Sequence, residues 1–181
     1  MIKGEKIYLE AIERDDLLQL KEWRNLPEIK MNCREYREIN TSMQEIWYES
    51  RVLNDPSTIM FSIKNIESQE LLGSCGLCYI NWVHRHAEIY LIIGWNGSYI
   101  DDCGYAQESS KLLLDYGFNE LGLNKIWVEV FDFDNKKKRF FTEAGFKIDG
   151  TLRDHHYFEG LWYNSIIFSL LSKEWVSNSL V

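Results

Sequence analysis

Proline is scarce in this chain: Pro27 and Pro56 are the only two in 181 residues. No Pro/Gly/Ser-rich stretch separates one part from another, and no internal repeat or low-complexity segment is present. The expected organisation is a single domain over residues 1–175 and a short loose tail at 176–181. Long apolar runs are missing too. No segment reaches the ~20 residues that a membrane-spanning helix needs, and Met1–Lys6 lacks a signal-peptide pattern. These absences lead us to expect a cytoplasmic protein with no membrane partner. Positive charge is in short supply: 20 Lys and Arg stand against 28 Asp and Glu, a net charge of −8. That balance argues against a general nucleic-acid binder. Cysteines number four. Cys75 and Cys78 form a C-x-x-C pair, but inside a strand-like run. Period-2 alternation sends positions three apart to opposite faces, which spoils joint metal or redox use. Four free thiols in a reducing compartment are expected.

Apolar residues are plentiful, at 45%, enough for a buried core and too many for disorder. Ile7 to Ile12 alternates as a strand. Asp15 and Asp16 then precede Leu17, Leu18, Leu20 and Trp23 at helical spacing, with acid at the start as the dipole prefers. Pro27 stops this helix. Met31 to Asn40 has no periodicity. Thr41 and Gln44 make a capping-box pattern ahead of a second helix, which Asp55-Pro56 ends. Thr58–Lys64 and Glu70–Ile80 read as a hairpin, and His86–Ile93 as a largely buried strand. A long helix ends near Gly122. Lys125–Phe131 alternates again, and a short helix closes at Ala144-Gly145-Phe146. A last hairpin turns at Phe158-Glu159-Gly160. The expected class is α/β in the α+β sense: a mixed, mostly antiparallel seven-stranded sheet flanked by about four helices.

The most informative stretch runs from His86 to Phe146. A strand feeds a polar loop ending in Gly104-Tyr105-Ala106, and a helix starts there. The first-turn N–H groups of a helix lack partners within it and sit at the positive end of its dipole, so they suit phosphate. A glycine lets a ligand approach the backbone. Together with Trp23-Arg24-Asn25, Ala87-Glu88-Ile89, Asn135 with Glu143, Gly145 and Phe146, and the Gly150–Leu171 hairpin, this stretch resembles the GNAT N-acetyltransferases. The similar branch includes the ribosomal-protein, polyamine and amino-sugar enzymes.

The resemblance implies transfer of an acetyl group from acetyl-CoA, by direct attack, to a primary amine of a small molecule. An amino sugar or nucleotide-linked amino sugar is the first expectation. The alternatives are a ribosomal-protein N-terminal or polyamine acetyltransferase, or an acyl-CoA-binding module without turnover. Glu88 becomes the expected base, with Tyr90 and Tyr157 as proton donors to the departing thiolate. Many relatives place a tyrosine for that task where this chain has Phe141. The coenzyme would meet the backbone of Ile92 and Ile93, the loop Asp102, Cys103, Gly104, Tyr105 and Ala106, and then Asn135, Lys137 and Lys138. Asp134 is the alternative to Asn135. The acceptor pocket would draw on Trp23, Arg24, Asn25, His155 and His156. Asp101 and Asp102 depart from the family's loop and put two carboxylates beside a diphosphate site. Lys136-Lys137-Lys138-Arg139 reads either as a solvated face or as compensation for those acids. His84-Arg85-His86 and Asp154-His155-His156 lack a second convergent ligand set, so no metal is expected. The branch often dimerises, which leaves a homodimer open.

Overall fold

The computed structural model describes residues 1–178. One sheet holds eight strands: β1 (Ile2–Lys3), β2 (Ile7–Ala11), β3 (Ile59–Asn65), β4 (Leu71–Asn81), β5 (His86–Ile93), β6 (Lys125–Phe131), β7 (Lys147–Phe158) and β8 (Leu161–Leu171). Their spatial order is β1-β2-β3-β4-β5-β6-β8-β7. The helices are α1 (Leu17–Arg24), α2 (Pro27–Lys30), α3 (Thr41–Trp47), α4 (Tyr105–Asp115), α5 (Asn135–Glu143) and α6 (Ser172–Asn178). The sheet has one strand more than its pattern announced. That strand, β1, is two residues long and pairs Ile2 with Leu9 and Lys3 with Tyr8, too short to show any period. Residues 176–178, read as the start of a tail, are the last three of α6; residues 179–181 lie outside the described residues.

Sequence periodicity explains the main elements. In β6, Ile126, Val128 and Val130 are buried and the residues between them are less so, the alternation of a strand with one covered face. In α4, Ala106, Ser109, Ser110, Leu113 and Leu114 are buried, the i, i+3, i+4, i+7, i+8 stripe of a helix lying on a core. That stripe joins Phe141, Phe146 and Ile126 in one cluster. A second cluster, containing Ile12, Leu17, Leu20, Tyr48 and Met60, sits under α1 and the segment after α3. Cys75 belongs to the first cluster and Cys78 packs against the second, so the C-x-x-C is split between the two faces of β4. Both thiols are free.

Two local details differ from the sequence reading or add to it. The cap of α3 is Asn40, whose side chain accepts from the Met43 amide at 2.9 Å, one residue before the expected Thr41. Beyond α3, the Asp55 carboxylate accepts from the Ser57 amide at 2.9 Å, the Ser57 hydroxyl at 2.6 Å and the Thr58 hydroxyl at 2.9 Å. It also pairs with Arg51 at 2.9 Å.

The topology opens the site. Every neighbouring strand pair is antiparallel except β5–β6, which is parallel. That pair holds over only three positions: His86–Lys125, Ala87–Ile126 and Glu88–Trp127. Beyond them β5 stays with β4 as far as Ile93, and β6 stays with β8 as far as Phe131. The two strands therefore part at Glu88, leaving a wedge between them.

Candidate active site

A cavity of about 300 Å³ fills that wedge. Glu88, Tyr90 and Ile92 line it from β5, Glu129 and Phe131 from β6, and Lys137 and Phe141 from α5; Arg24 and Arg34 also reach it. Arg24, Trp47 and Tyr90 are shared with a second cavity of about 470 Å³ between α1, α3 and the sheet.

Past Tyr99, which lines the cavity, the chain reaches the start of α4. Gly104 has φ of 91°, a left-handed conformation that glycine adopts without steric cost. Amides on either side of it turn toward a common point. Their occupant is internal: the buried Asp101 carboxylate accepts from the amides of Cys103 (2.7 Å), Tyr105 (3.0 Å) and Ala106 (2.6 Å). The sequence reading treated these amides as unpaired. The chain instead supplies an anion of its own, which shows that the nest takes negative charge. Asp102 and Cys103 face solvent. Lys6 brings a cation to this end, its ammonium donating to the Cys103 carbonyl at 3.0 Å. Glu108 ties the N-terminal strand region to α4 by accepting from the Lys6 amide at 3.1 and 3.2 Å.

In the wedge itself the charges are reversed. Glu88 on β5 and Glu129 on β6 each expose only 10% of their side chain. Between them lies Arg34, from the aperiodic segment after α2. Its guanidinium donates to both Glu88 oxygens at 2.9 and 2.5 Å and to Glu129 at 2.6 Å. Burial alone would lower the Arg34 pKa; its bonds and charge contacts with the two carboxylates outweigh that and raise it. His155 on β7 approaches Glu129 at 3.8 Å.

The remaining expected site residues take varied places. Arg24 stands between the two cavities and donates to the Tyr90 hydroxyl at 3.1 Å, and its buried Nε has no partner among the described residues. Trp23 packs on the sheet: a Cβ on Gly94 would lie 2.0 Å from its ring. Asn25 clasps the Arg34 segment, accepting from the Ile39 amide and donating to its carbonyl, both at 2.8 Å. Tyr90 has its pKa raised by burial. Tyr157 is 59% exposed and lies beside Trp162, away from the wedge. Ile92 lines the wedge, while Ile93 is fully buried and gives its amide to the Tyr99 carbonyl at 3.1 Å. His156 stacks on Phe131 at 3.7 Å, and burial lowers its pKa. Asn135 is exposed, and the cap of α5 is Asp134, which accepts from the Lys137 amide at 2.9 Å and from the Tyr99 hydroxyl. Lys137 turns into the wedge and Lys138 donates to the Asp132 carbonyl at 2.7 Å. Among the described residues, no group of three or more His, Cys, Asp or Glu side chains is placed to hold a metal ion. No described helix is long and apolar enough to cross a membrane.

Comparison with known proteins decides the family. The family described as "Acetyltransferase (GNAT) domain" matches residues 9–167. This chain belongs to the GNAT acetyltransferases. An uncharacterized N-acetyltransferase of Bacillus licheniformis, p20, is 28% identical over 175 residues, covering 94% of this chain and 96% of that one. Spermidine N(1)-acetyltransferase of Escherichia coli K12 is 24% identical, covering 98% and 92%. The crystal structure of spermidine N-acetyltransferase from Vibrio cholerae in complex with CoA and spermine superposes with a TM-score of 0.86, at 25% identity, covering 96% and 99% of the two chains. As a GNAT enzyme the protein is an acetyl-CoA-dependent N-acetyltransferase.

Three of the groups that shape this acetyltransferase site were not singled out from sequence: Arg34, Glu129 and Lys6. Glu129 had a usable signal, because it alternates with the buried residues of β6 just as Glu88 sits on β5. Arg34 and Lys6 had none, since neither lies in a periodic element facing the wedge.

Proposed function

We propose that this enzyme acetylates a primary amine of a small polycationic acceptor, a polyamine, by direct attack on the thioester. The observation that carries the reading is the carboxylate pair. Glu88 and Glu129 hold a guanidinium in the free protein, and an alkylammonium likewise carries one positive charge and only hydrogen-bond donors. The named spermidine acetyltransferases support that acceptor class over the amino sugar expected first.

The residues divide the work. The α4 amides and Lys6 suit a diphosphate once Asp101 has turned away, and acetyl-CoA supplies the acetyl group when bound there. Glu88 takes the proton of the incoming ammonium, which frees the nitrogen lone pair for attack. A positioned base of this kind contributes about 10²–10⁴-fold. Glu129 holds a cationic group of the acceptor while Glu88 acts. Arg24 fixes the Tyr90 ring between the two cavities.

A thiol-release assay with acetyl-CoA tests this reading across spermidine, spermine, glucosamine, a nucleotide-linked amino sugar and N-terminal peptides. The expected order puts spermidine and spermine at least tenfold ahead in kcat/KM. An amino sugar or a peptide in first place would overturn the polyamine assignment.

A further inference from the structure

Direct transfer leaves the bonding electrons on sulfur, and something must protonate it. Of the tyrosines lining the wedge, Tyr79 is half exposed, Tyr90 stands beside Arg24 on the side shared with the second cavity, and the Tyr99 hydroxyl donates to Asp134. Tyr157 is in solvent, and Phe141 carries no proton to give.

One group of the wedge has remained without a task. Lys137 lies one turn before Phe141 on α5, so the two share a helix face, and both line the cavity. The Lys137 ammonium reaches the Glu129 carbonyl at 3.4 Å, on β6 where β5 departs. Its basic neighbours point elsewhere: Lys138 to the Asp132 carbonyl, Lys136 over the Tyr99 ring and Arg139 to Glu143. A long contact to a neutral carbonyl leaves the ammonium with protons to donate.

We propose that Lys137 is the acid that protonates sulfur as the carbon–sulfur bond breaks. The inference rests on the direct-attack reading above. The amine nitrogen forms the new bond to the acetyl carbon, and the electron pair of the broken bond goes to sulfur. Sulfur takes a proton from Lys137, Glu88 keeps the proton whose loss freed the lone pair, the second proton on the newly acylated nitrogen leaves to solvent, and solvent resets both groups after release. Burial lowers the Lys137 pKa from the ordinary lysine value, which brings it toward the range of a thiol. Of the charged and titratable groups around it, Asp134, Cys33 and Glu88 pull the other way and Arg34 adds to the lowering.

Two substitutions and one binding measurement test the assignment. Lys137→Met is expected to lower kcat about 10²-fold or more, to leave the KM for acetyl-CoA within about twofold, and to remove the alkaline limb of the pH–rate profile. Lys137→Arg keeps a charge but gives up no proton, so it should lose as much. An acetyl ester of a more acidic thiol should narrow both deficits. Independently of turnover, thiolate absorbance should show bound CoA ionising at lower pH in the unaltered enzyme than in Lys137→Met. A Lys137→Arg enzyme with full kcat would overturn the proton-donor role, and identical thiol titrations would overturn the placement beside sulfur. If no amine is acetylated while the thiol shift persists, the acceptor assignment fails and the placement of Lys137 stands.

Discussion

The α4 nest and the carboxylate pair of the wedge mirror each other. At the α4 end, three backbone amides converge and an internal carboxylate, Asp101, fills them. At the β5–β6 end, two carboxylates converge and an internal guanidinium, Arg34, joins them. In each case the free enzyme satisfies buried polar groups with a charge of the same sign as the ligand expected there. The reason is energetic: an unpaired polar or charged group in a half-buried cleft costs far more than a paired one. The two ends differ in how the stand-in is held. Asp101 is buried and lies within five residues of the amides it caps. Arg34 exposes 46% of its side chain and comes from a segment 54 residues away from Glu88 in sequence. The anion end is thus a rigid local turn, and the cation end a contact between distant segments that a ligand displaces more easily.

Substitutions break this symmetry one end at a time. The largest effect should come from Glu88→Gln, which keeps the shape but removes the base. Its kcat/KM should fall about 10²–10⁴-fold with CoA affinity unchanged by calorimetry, and a loss under about tenfold would take the base role away from Glu88. Next, Asp101→Ala should tighten CoA binding about tenfold, roughly 1.4 kcal/mol. The same change removes a helix cap and should cost the free protein about 0.5–2 kcal/mol in thermal unfolding. Weaker CoA binding in that variant would mean that the carboxylate builds the nest instead of obstructing it. Arg34→Gln should lower the KM for spermidine about fivefold, because a partly exposed ion pair is worth on the order of 1 kcal/mol. An unchanged KM would show that Arg34 already stands aside when the acceptor enters.

The smallest effect at the site should come from Asp55→Ala, a control outside both ends. Hydrogen bonds from the Ser57 side chain and backbone hold the Asp55 pKa well below the ordinary value. A depressed carboxylate contributes stability that is present above its unfolded value of about 3.9 and fades as pH falls through the lower folded value. Urea unfolding at neutral pH should therefore show a loss on the order of 1–3 kcal/mol. The two proteins should converge as the solution is acidified.

Much of the architecture was legible in the chain because it rests on periodic patterns. Ile126, Val128 and Val130 announced β6, and the stripe from Ala106 to Leu114 announced α4. Gly104 marked the start of that helix, and Glu88 was picked out on its strand. What could not be read were contacts between segments without a period. Arg34 sits where the sequence shows no element, and nothing local ties it to Glu88 or Glu129. Asp101 was read as a carboxylate that would repel a diphosphate; that its own backbone amides would take it in depends on the turn at Gly104. Lys137 was picked out together with Lys138 as a coenzyme contact, with nothing to set the two apart within a run of four basic residues. The i, i+4 spacing to buried Phe141 was the clue that it alone among them turns inward. The amino-sugar acceptor was a choice among family branches that the residues did not separate.

The three-rung junction between β5 and β6 has a mechanical consequence. Strands β1–β5 form one hydrogen-bonded plate and β6–β8 another, and the seam between them ends at Glu88. Widening or narrowing the gap beyond that point stretches no interstrand bond, so the two plates can flex about the seam as substrates enter and products leave. The proposed base sits at the pivot, where such flexing displaces it least.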